Sequence, residues 1–438
     1  MAAAIKRRER DAILQSLRAG VVPRIGLQHI QVGRKDEVSA IISDLDRVAD
    51  GGSMVRFVIG RFGSGKSFFL NLARIVAIEK GFVVVQADIT LDRRLYSRQG
   101  HARALYAELM QNMTVRSKPL GGALPNVVER WVSDIDHGIK QAGGTDQDVA
   151  AQIHEELKPL QDQVSGYDFA TVITKYLEGF HEHDEELMGA ALRWLRAQFG
   201  TKTEARQHLG VRSIVDDDGI YDYLKLLAHF VRMAGYAGLL VNIDEMGVLS
   251  HRLNHSQTRA QNYEMVLRMV NDCLQGNVTG IGFLFAGTNS FLEDQRRGLF
   301  SYEALATRLA ENTFATAGLK DFSSPVLRLE NLSPEDLYVL LHNIRNVFAL
   351  GDSREYLLPN EGLREFMTYC SKTLGADYFR TPRDTVKAFV GFLSVLEQNP
   401  SADWRQVLGT TTVESTPDPE AEAAHDEESA DDLASFRL

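Results

Sequence analysis

An eight-residue stretch, Gly-Arg-Phe-Gly-Ser-Gly-Lys-Ser, fits the pattern G-x-x-x-x-G-K-S at every position. It follows an apolar run over residues 54–59 and precedes an apolar-faced run over residues 68–77, so a strand, a glycine loop and a helix are predicted in that order. In such a loop the backbone N–H groups point inward and the helix dipole adds partial positive charge, which together form an anion cradle. The residues predicted to contact a nucleoside triphosphate are Gly60, Arg61, Phe62, Gly63, Ser64, Gly65, Lys66, Ser67 and Phe68.

Hydrolysis of a bound triphosphate requires further groups beside the phosphates. Lys66 is predicted to reach the outer phosphates, and Ser67 to ligate Mg²⁺. A second apolar run, residues 239–243, ends in Asp244 and Glu245 and is typical of a central parallel strand. Because ligands lie beyond the carboxyl ends of such strands, both acids are expected to face the phosphates. Asp244 is then a predicted Mg²⁺ ligand through water, and Glu245 the predicted general base for the attacking water.

Hydrophobic patterns predict the elements that must position these residues. Apolar runs predict five strands, ending at residues 59, 88, 244, 286 and 329. The span between the second and third strands contains helical runs and is far longer than an ordinary crossover, so a helical insertion is predicted there. Ser333 and Pro334 followed by two acids predict the start of a helical lid. The predicted domains are a basic N-terminal helix (1–24), a nucleotide-binding core (25–98 and 237–330), the insertion (99–236), the lid (331–409) and an acidic tail (410–438).

Composition narrows the class of protein. The 438 residues suffice for more than one domain, and no stretch approaches the roughly twenty apolar residues that a membrane span needs. The basic segment Lys6–Arg10 lacks the apolar core of a signal peptide. The two cysteines, Cys273 and Cys370, lie at no metal-binding spacing. A protein without disulfides or zinc, in the reducing cytoplasm and with no membrane partner, is therefore expected.

The C-terminal tail carries most of the net charge of −11. From Glu414 onward there are nine acids and one base, a composition that cannot bury a core and predicts disorder. The tail nevertheless ends in Leu433, Phe436 and Leu438. These residues favour a short docking peptide for the groove of a partner protein, and the alternative interpretation is a solubilising tail.

These motifs together resemble the AAA+ ATPases. The resemblance combines the phosphate loop, the Asp244-Glu245 strand, the polar pair Thr288-Asn289 after the fourth strand, and a lid helix that begins with Pro382-Arg383. It implies an α/β fold, a P-loop AAA+ core with a five-stranded parallel sheet, a long all-helical insertion between strands two and three, and a C-terminal helical lid. The layout from residue 26 to 397 resembles the initiator (origin-recognition and Cdc6-like) branch and, more narrowly, the BrxD-like ATP-binding proteins of bacterial BREX phage-defence systems.

The resemblance adds residues around the nucleotide. Val32, Gly33 and Arg34 match the box on the adenine side of ATP in that superfamily. Asn289, with Thr288 as the alternative, matches sensor 1, a polar side chain that orients the lytic water.

The resemblance also assigns roles to arginines. Arg383, with Arg380 as the alternative, matches sensor 2, an arginine of the lid that contacts the γ-phosphate. Arg308 matches the arginine finger that enters the nucleotide site of a neighbouring subunit, with Arg296 and Arg297 as rivals. Such a finger raises the hydrolysis rate on the order of a thousandfold or more.

The resemblance implies an ATPase that uses ATP and Mg²⁺ to drive or switch a DNA-associated assembly in phage defence. The expected partners are further copies of the chain, for which a ring is one arrangement, double-stranded DNA, and a defence protein held by the acidic tail. Basic residues occur around His251, Arg252 and Arg259, yet no aromatic-interleaved basic motif stands out. The alternative function is a nucleotide-gated adaptor that recruits a partner without acting on DNA. A metabolic kinase is disfavoured because the sequence shows no acceptor-binding domain.

Overall fold

The computed structural model describes residues 5–312, 314, 321–374 and 382–410. The strands are β1 (Ser53–Ile59), β2 (Val83–Asp88), β3 (Leu239–Asp244), β4 (Ile281–Gly287) and β5 (Val326–Arg328). The helices are α1 (Arg7–Arg18), α2 (Lys35–Ala49), α3 (Lys66–Glu79), α4 (His101–Gln111), α5 (Leu124–Gln141), α6 (Asp146–Gln161), α7 (Gly166–Glu182), α8 (Glu185–Leu195), α9 (Lys202–Leu209), α10 (Ile220–Met233), α11 (Gly247–His251), α12 (Ser256–Gln275), α13 (Asn289–Glu293), α14 (Glu303–Arg308), α15 (Pro334–Phe348), α16 (Asn360–Leu374), α17 (Pro382–Gln398) and α18 (Trp404–Thr410). Within these described ranges, no helix is both long and apolar enough to cross a membrane.

The described residues form two compact units. The first, called unit 1 below, comprises those within 1–36, 59–72 and 328–438. Unit 2 comprises residues 37–58 and those described within 73–327. Apart from Thr410, the last residue of α18, the predicted acidic tail with its docking peptide lies outside the described residues, as does Arg380. The other predicted domain limits stay predictions.

Apart from Ile59 and Arg328, the last residues of β1 and β5, the sheet belongs to unit 2, and its strand order is β2-β3-β4-β1-β5. The strands are parallel, with Val83 opposite Leu239 and Leu239 opposite Ile281 in the central register. Every residue of β4 is buried, as is every residue of β3 except Asp244 at its end. Continuous apolar strands of this kind require cover on both faces, which the helices of an α/β fold provide. The predicted five-stranded parallel sheet is confirmed.

A chain of aromatic side chains forms the core of the helical region between β2 and β3. Phe230 of α10 packs against Trp131 of α5 and Phe169 of α7, with ring centres 5.3 and 5.8 Å apart. Trp194 of α8 continues the chain, 6.4 Å from Phe169 and 5.6 Å from Tyr223. Edge-on aromatic contacts at these distances stabilise packing beyond the burial of their area. The sequence predicts helical runs between the second and third strands, and the structure has α4 to α10 there.

Unit 1 contains a helical cluster in which α1 packs against α15 and α17. Ile13, fully buried, lies on the apolar face of α1, where its Cδ1 atom faces Gly26 so closely that a Cβ at position 26 would lie 2.6 Å away. Arg10 donates from Nε to the carbonyl oxygen of Phe348, 2.9 Å away, and forms an ion pair with Glu397. The basic N-terminal helix is therefore a packed member of this cluster, with part of its charge paired.

The two cysteines lie in different units. Cys273 of α12 and Cys370 of α16 are both buried, and both are free thiols. Burial raises the pKa of each thiol to about 12, because the thiolate is poorly stabilised away from water. Neither thiol is therefore suited to act as a nucleophile at neutral pH.

Candidate functional site

The phosphate loop of unit 1 has the backbone that an anion cradle needs. Gly63 and Gly65 adopt left-handed conformations, with φ of 74° and 93°, and α3 begins at the next residue, Lys66. A Cβ at Gly60 would lie 2.5 Å from Oγ of Ser64, so only glycine fits there. The first N–H groups of α3 have no acceptor within the helix. They are therefore available to the phosphate ligand that the sequence predicts, and that ligand stays a prediction.

Two side chains of the loop suit a phosphate ligand. Lys66 donates from Nζ to the carbonyl oxygens of Gly60 and Arg61, at 3.0 and 2.9 Å, so its charge lies over the loop. Ser64 is 4% exposed, and its Oγ has no hydrogen-bond partner among the described residues. A buried hydroxyl without a partner is costly. A phosphate oxygen would supply that partner, so the loop fits the predicted ligand.

The predicted adenine-side box lies in the same unit as the loop. Gly33 and Arg34 both have positive φ, at 65° and 61°, which marks a tight turn between residue 30 and α2. Arg34 donates from Nη2 to the carbonyl oxygens of Ser64, 3.4 Å away, and of Glu330. Arg34 thus connects the phosphate loop to the segment that follows β5. Val32 is half-buried at this turn.

Arg383, the predicted sensor 2, is the second residue of α17 and lies beside the phosphate loop. Its side chain is exposed, and Cζ lies 5.5 Å from the centre of the Phe62 ring. This distance is within the range of a cation–π contact. Unit 1 therefore brings together the loop, Arg34 and Arg383.

The predicted acid pair lies in unit 2, at the carboxyl end of β3. Asp244 is the last residue of that strand, in register with Asp88 of β2. Its Oδ1 accepts the backbone N–H of Glu245 at 2.8 Å. Glu245 has φ of 57°, an uncommon conformation for a residue with a side chain, and its side chain is exposed. Met246 donates its N–H to Ala286 at 3.0 Å, so the acids are anchored to the end of β4.

Thr288 and Asn289, the polar pair after β4, make different contacts. Thr288 caps α13, because its Oγ1 accepts the N–H of Phe291 at 3.2 Å. Asn289 is the first residue of α13, half-buried, and its amide makes no hydrogen bond to the described residues. Since Thr288 is engaged in the cap, Asn289 is the better candidate of the two for contact with a water molecule.

The three candidate finger arginines differ in their contacts within unit 2. Arg308 donates from Nε to Oδ1 of Asn271 and from Nη1 to the carbonyl oxygen of Ala304, 2.9 Å away. Arg297 is half-buried and donates to the carbonyl oxygen of Leu253 at 3.5 Å. The side chain of Arg296 is exposed and has no hydrogen bond or ion pair to the described residues.

A basic surface, which we call the arginine cluster, lies around the turn between α11 and α12. The carbonyl oxygen of Leu253 accepts from Arg259 at 2.9 Å and from Arg297 at 3.5 Å, so two guanidinium groups converge there. Arg252, on the same turn, and Arg296, beside Arg297, are exposed. The cluster is thus the four residues Arg252, Arg259, Arg296 and Arg297. Converging cations on a surface suit a polyanionic ligand.

One further cluster has the residue types of a metal site, but its carboxylates already form ion pairs with a lysine side chain. Asp136, Asp146 and His181 present ligand atoms within 4.8 Å of one another. Nζ of Lys140 lies 2.8 Å from Asp136 and 3.1 Å from Asp146. The lysine forms ion pairs with both carboxylates, so the arrangement is an ion-pair cluster of the helical region. It does not resemble a prepared metal site.

One comparison with known proteins gives a match over most of the chain. The family model described as BREX system ATP-binding protein BrxC/D matches residues 5–412. No curated protein and no solved structure matches the chain. The matched range includes the phosphate loop, the acid pair, the arginine cluster and α15 to α18.

Proposed function

Because the chain belongs to the BREX ATP-binding family BrxC/D, we propose that it binds ATP with Mg²⁺ and hydrolyses it to drive or switch a DNA-associated assembly in phage defence. The observation that carries this proposal is the phosphate loop, which combines two left-handed glycines, a lysine and a helix N-terminus with a buried Ser64 hydroxyl that has no hydrogen-bond partner among the described residues. These are the groups that bind the phosphates of a nucleotide.

Each residue has a part in the proposed reaction. Lys66 stabilises the negative charge that develops on the β- and γ-phosphates. Mg²⁺ is a hard cation that prefers oxygen ligands, which Ser67 would supply directly and Asp244 through water. When bound, Mg²⁺ neutralises charge on the phosphate oxygens. Glu245 accepts a proton from the attacking water, and Asn289 orients that water.

The nucleotide-binding step is tested with Lys66→Ala. Hydrogen bonds between charged groups contribute about 1.5–3 kcal/mol, so the affinity for ATP is expected to fall about 10- to 100-fold. The measurement is equilibrium binding of a fluorescent ATP analogue. The matched control is Lys35→Ala, which removes an exposed lysine of the same unit and is expected to leave the affinity unchanged. Equal affinities for the wild type and Lys66→Ala would contradict the proposal.

The arginine cluster supports the DNA-associated part of the proposal. Contacts to the phosphates of double-stranded DNA come from Lys and Arg, and each contact makes binding weaker as salt rises. The exposed Arg252 and Arg296 suit such contacts. Arg296 also suits the role of a finger in an oligomer, because its side chain is not engaged within unit 2. The acidic residues of the tail repel the phosphates of DNA, so the tail is expected to bind a protein partner of the defence system.

A further inference from the structure

The C-terminal end of α1 forms a tight turn that requires glycine. Gly20 has φ of 70°, and its N–H donates to the carbonyl oxygen of Leu17 at 3.0 Å. The N–H of Val21 donates to Ser16 at 2.9 Å. These two bonds form the Schellman motif, in which a left-handed residue satisfies the last carbonyl groups of a helix. The turn fixes the place of Gly20 at the end of α1.

Gly20 lies directly against the guanidinium group of Arg383. A Cβ at position 20 would lie 2.9 Å from Nε and 3.2 Å from Nη2 of Arg383. The first distance is shorter than a real Cβ atom tolerates, so any side chain at position 20 would push the guanidinium group away. The glycine therefore serves two needs, the left-handed turn and the space for Arg383.

Phe62 of the phosphate loop also contacts the same guanidinium group. The centre of its ring lies 5.5 Å from Cζ of Arg383. Arg383 forms no ion pair with the described residues, so its charge is not neutralised by a carboxylate among them. All three residues belong to unit 1. A cation that pairs with no carboxylate among the described residues thus lies beside the phosphate loop, between an aromatic ring and the end of α1.

We propose that Gly20 and Phe62 are positioning residues that hold Arg383 at the phosphate loop and thereby favour ATP over ADP. The inference rests on the proposed nucleotide binding. A cation that is held in place loses less conformational freedom when a ligand binds, so its contact with the ligand is stronger. Only ATP carries the γ-phosphate that a guanidinium group in this position would recognise. The N-terminal helix then belongs to the machinery that distinguishes the two nucleotides.

The test compares the affinities of the full chain for ATPγS and for ADP by fluorescence titration. A cation–π contact at an exposed site accounts for about a two- to five-fold change in affinity. Phe62→Leu is therefore expected to weaken ATPγS binding about two- to five-fold more than it weakens ADP binding. Phe62→Tyr retains the ring and is expected to keep the wild-type ratio of ATPγS affinity to ADP affinity.

A double-mutant cycle separates positioning from general damage to the loop. In an Arg383→Gln background, Phe62→Leu is expected to have no further effect on ATPγS binding, because the two residues act through one contact. An equal effect of Phe62→Leu in both backgrounds, or an equal loss of ATPγS and ADP affinity, would overturn the inference.

Gly20→Ala provides a second, independent variant. It adds a Cβ against Arg383 and is expected to weaken ATPγS binding more than ADP binding. The matched control is Gly210→Ala, at a helix end with φ of 73°, where a Cβ would meet nothing within 4 Å. The control carries the same backbone strain without the contact, and is expected to bind ATPγS normally. Equal effects of the two alanines would overturn the role of Gly20. A wild-type chain that binds neither nucleotide would overturn the proposed function as well.

Discussion

Arg308 and Arg296 show how the same residue type fills different roles in one unit. Arg308 fastens α14 to α12 through Asn271, and it also bonds the carbonyl oxygen of Ala304 on its own helix. Arg296 makes no such contact to the described residues of its unit and is exposed. An arginine that acts on a neighbouring subunit has to be free of its own subunit. The contacts therefore favour Arg296 over Arg308 as the finger, an assignment that stays a prediction.

The two arginines are distinguished by stability and by rate. Arg308→Ala removes two hydrogen bonds and is expected to lower the free energy of unfolding by about 1–2 kcal/mol. Arg296→Ala is expected to change it by less than about 0.5 kcal/mol, and to lower the rate of ATP hydrolysis by about a thousandfold if it is the finger. Urea denaturation and steady-state hydrolysis measure the two effects. An Arg308→Ala variant that is as stable as the wild type but hydrolyses ATP about a thousandfold more slowly would instead identify Arg308 as the arginine finger.

The position of individual residues could be predicted from the sequence where it depends on near neighbours along the chain. An eight-residue pattern places Lys66 at the start of a helix, and an apolar run places Asp244 at the end of a strand, as the structure has them; their roles stay predictions. The contact between Phe62 and Arg383 joins residues more than 300 positions apart. A hydrophobic pattern shows which face of α17 is apolar, but it does not show which residue its first turn contacts. The hydrogen bond between Arg34 and the carbonyl oxygen of Glu330 also joins two distant segments that no sequence pattern identifies as neighbours.

At the scale of elements, helix α1 contributes more to the packing of unit 1 than its basic sequence indicates. The pattern predicts an amphipathic helix with Ile13 and Leu14 on one side, and both residues are buried. Their partners are α15, α17 and the turn at Gly26, which the sequence does not identify. The helix thus packs on the predicted lid, and the turn at Gly20 that follows it lies against Arg383.

Loss of the apolar contact of α1 is expected to destabilise unit 1. Ile13 is fully buried, and truncation of a buried isoleucine to alanine costs about 2–5 kcal/mol because it removes buried area and leaves a cavity. Ile13→Ala is therefore expected to shift the urea midpoint strongly downward. The exposed Arg7→Ala is the control on the same helix. A midpoint unchanged by Ile13→Ala would show that α1 does not contribute to the packed cluster.

At the scale of the whole molecule, the predicted functional residues are distributed over both units. The phosphate loop, Arg34 and Arg383 belong to unit 1, whereas Asp244, Glu245, Asn289 and the arginine cluster belong to unit 2. The parallel sheet was predictable because each strand is a short apolar run with its own signal. The division into units was not, because it depends on which distant segments pack together. Membership of the BREX ATP-binding family extends over nearly all of this chain.

ATP hydrolysis by the wild type and by Glu245→Gln, each with and without double-stranded DNA, tests the central claim most directly. General base catalysis contributes about 10²–10⁴-fold to a rate, so the variant is expected to bind ATP normally and to hydrolyse it at least about a hundredfold more slowly. DNA is expected to stimulate the wild type only, and less so at higher salt. A wild type that binds ATP but hydrolyses it no faster than Glu245→Gln would contradict the account and favour a nucleotide-gated adaptor.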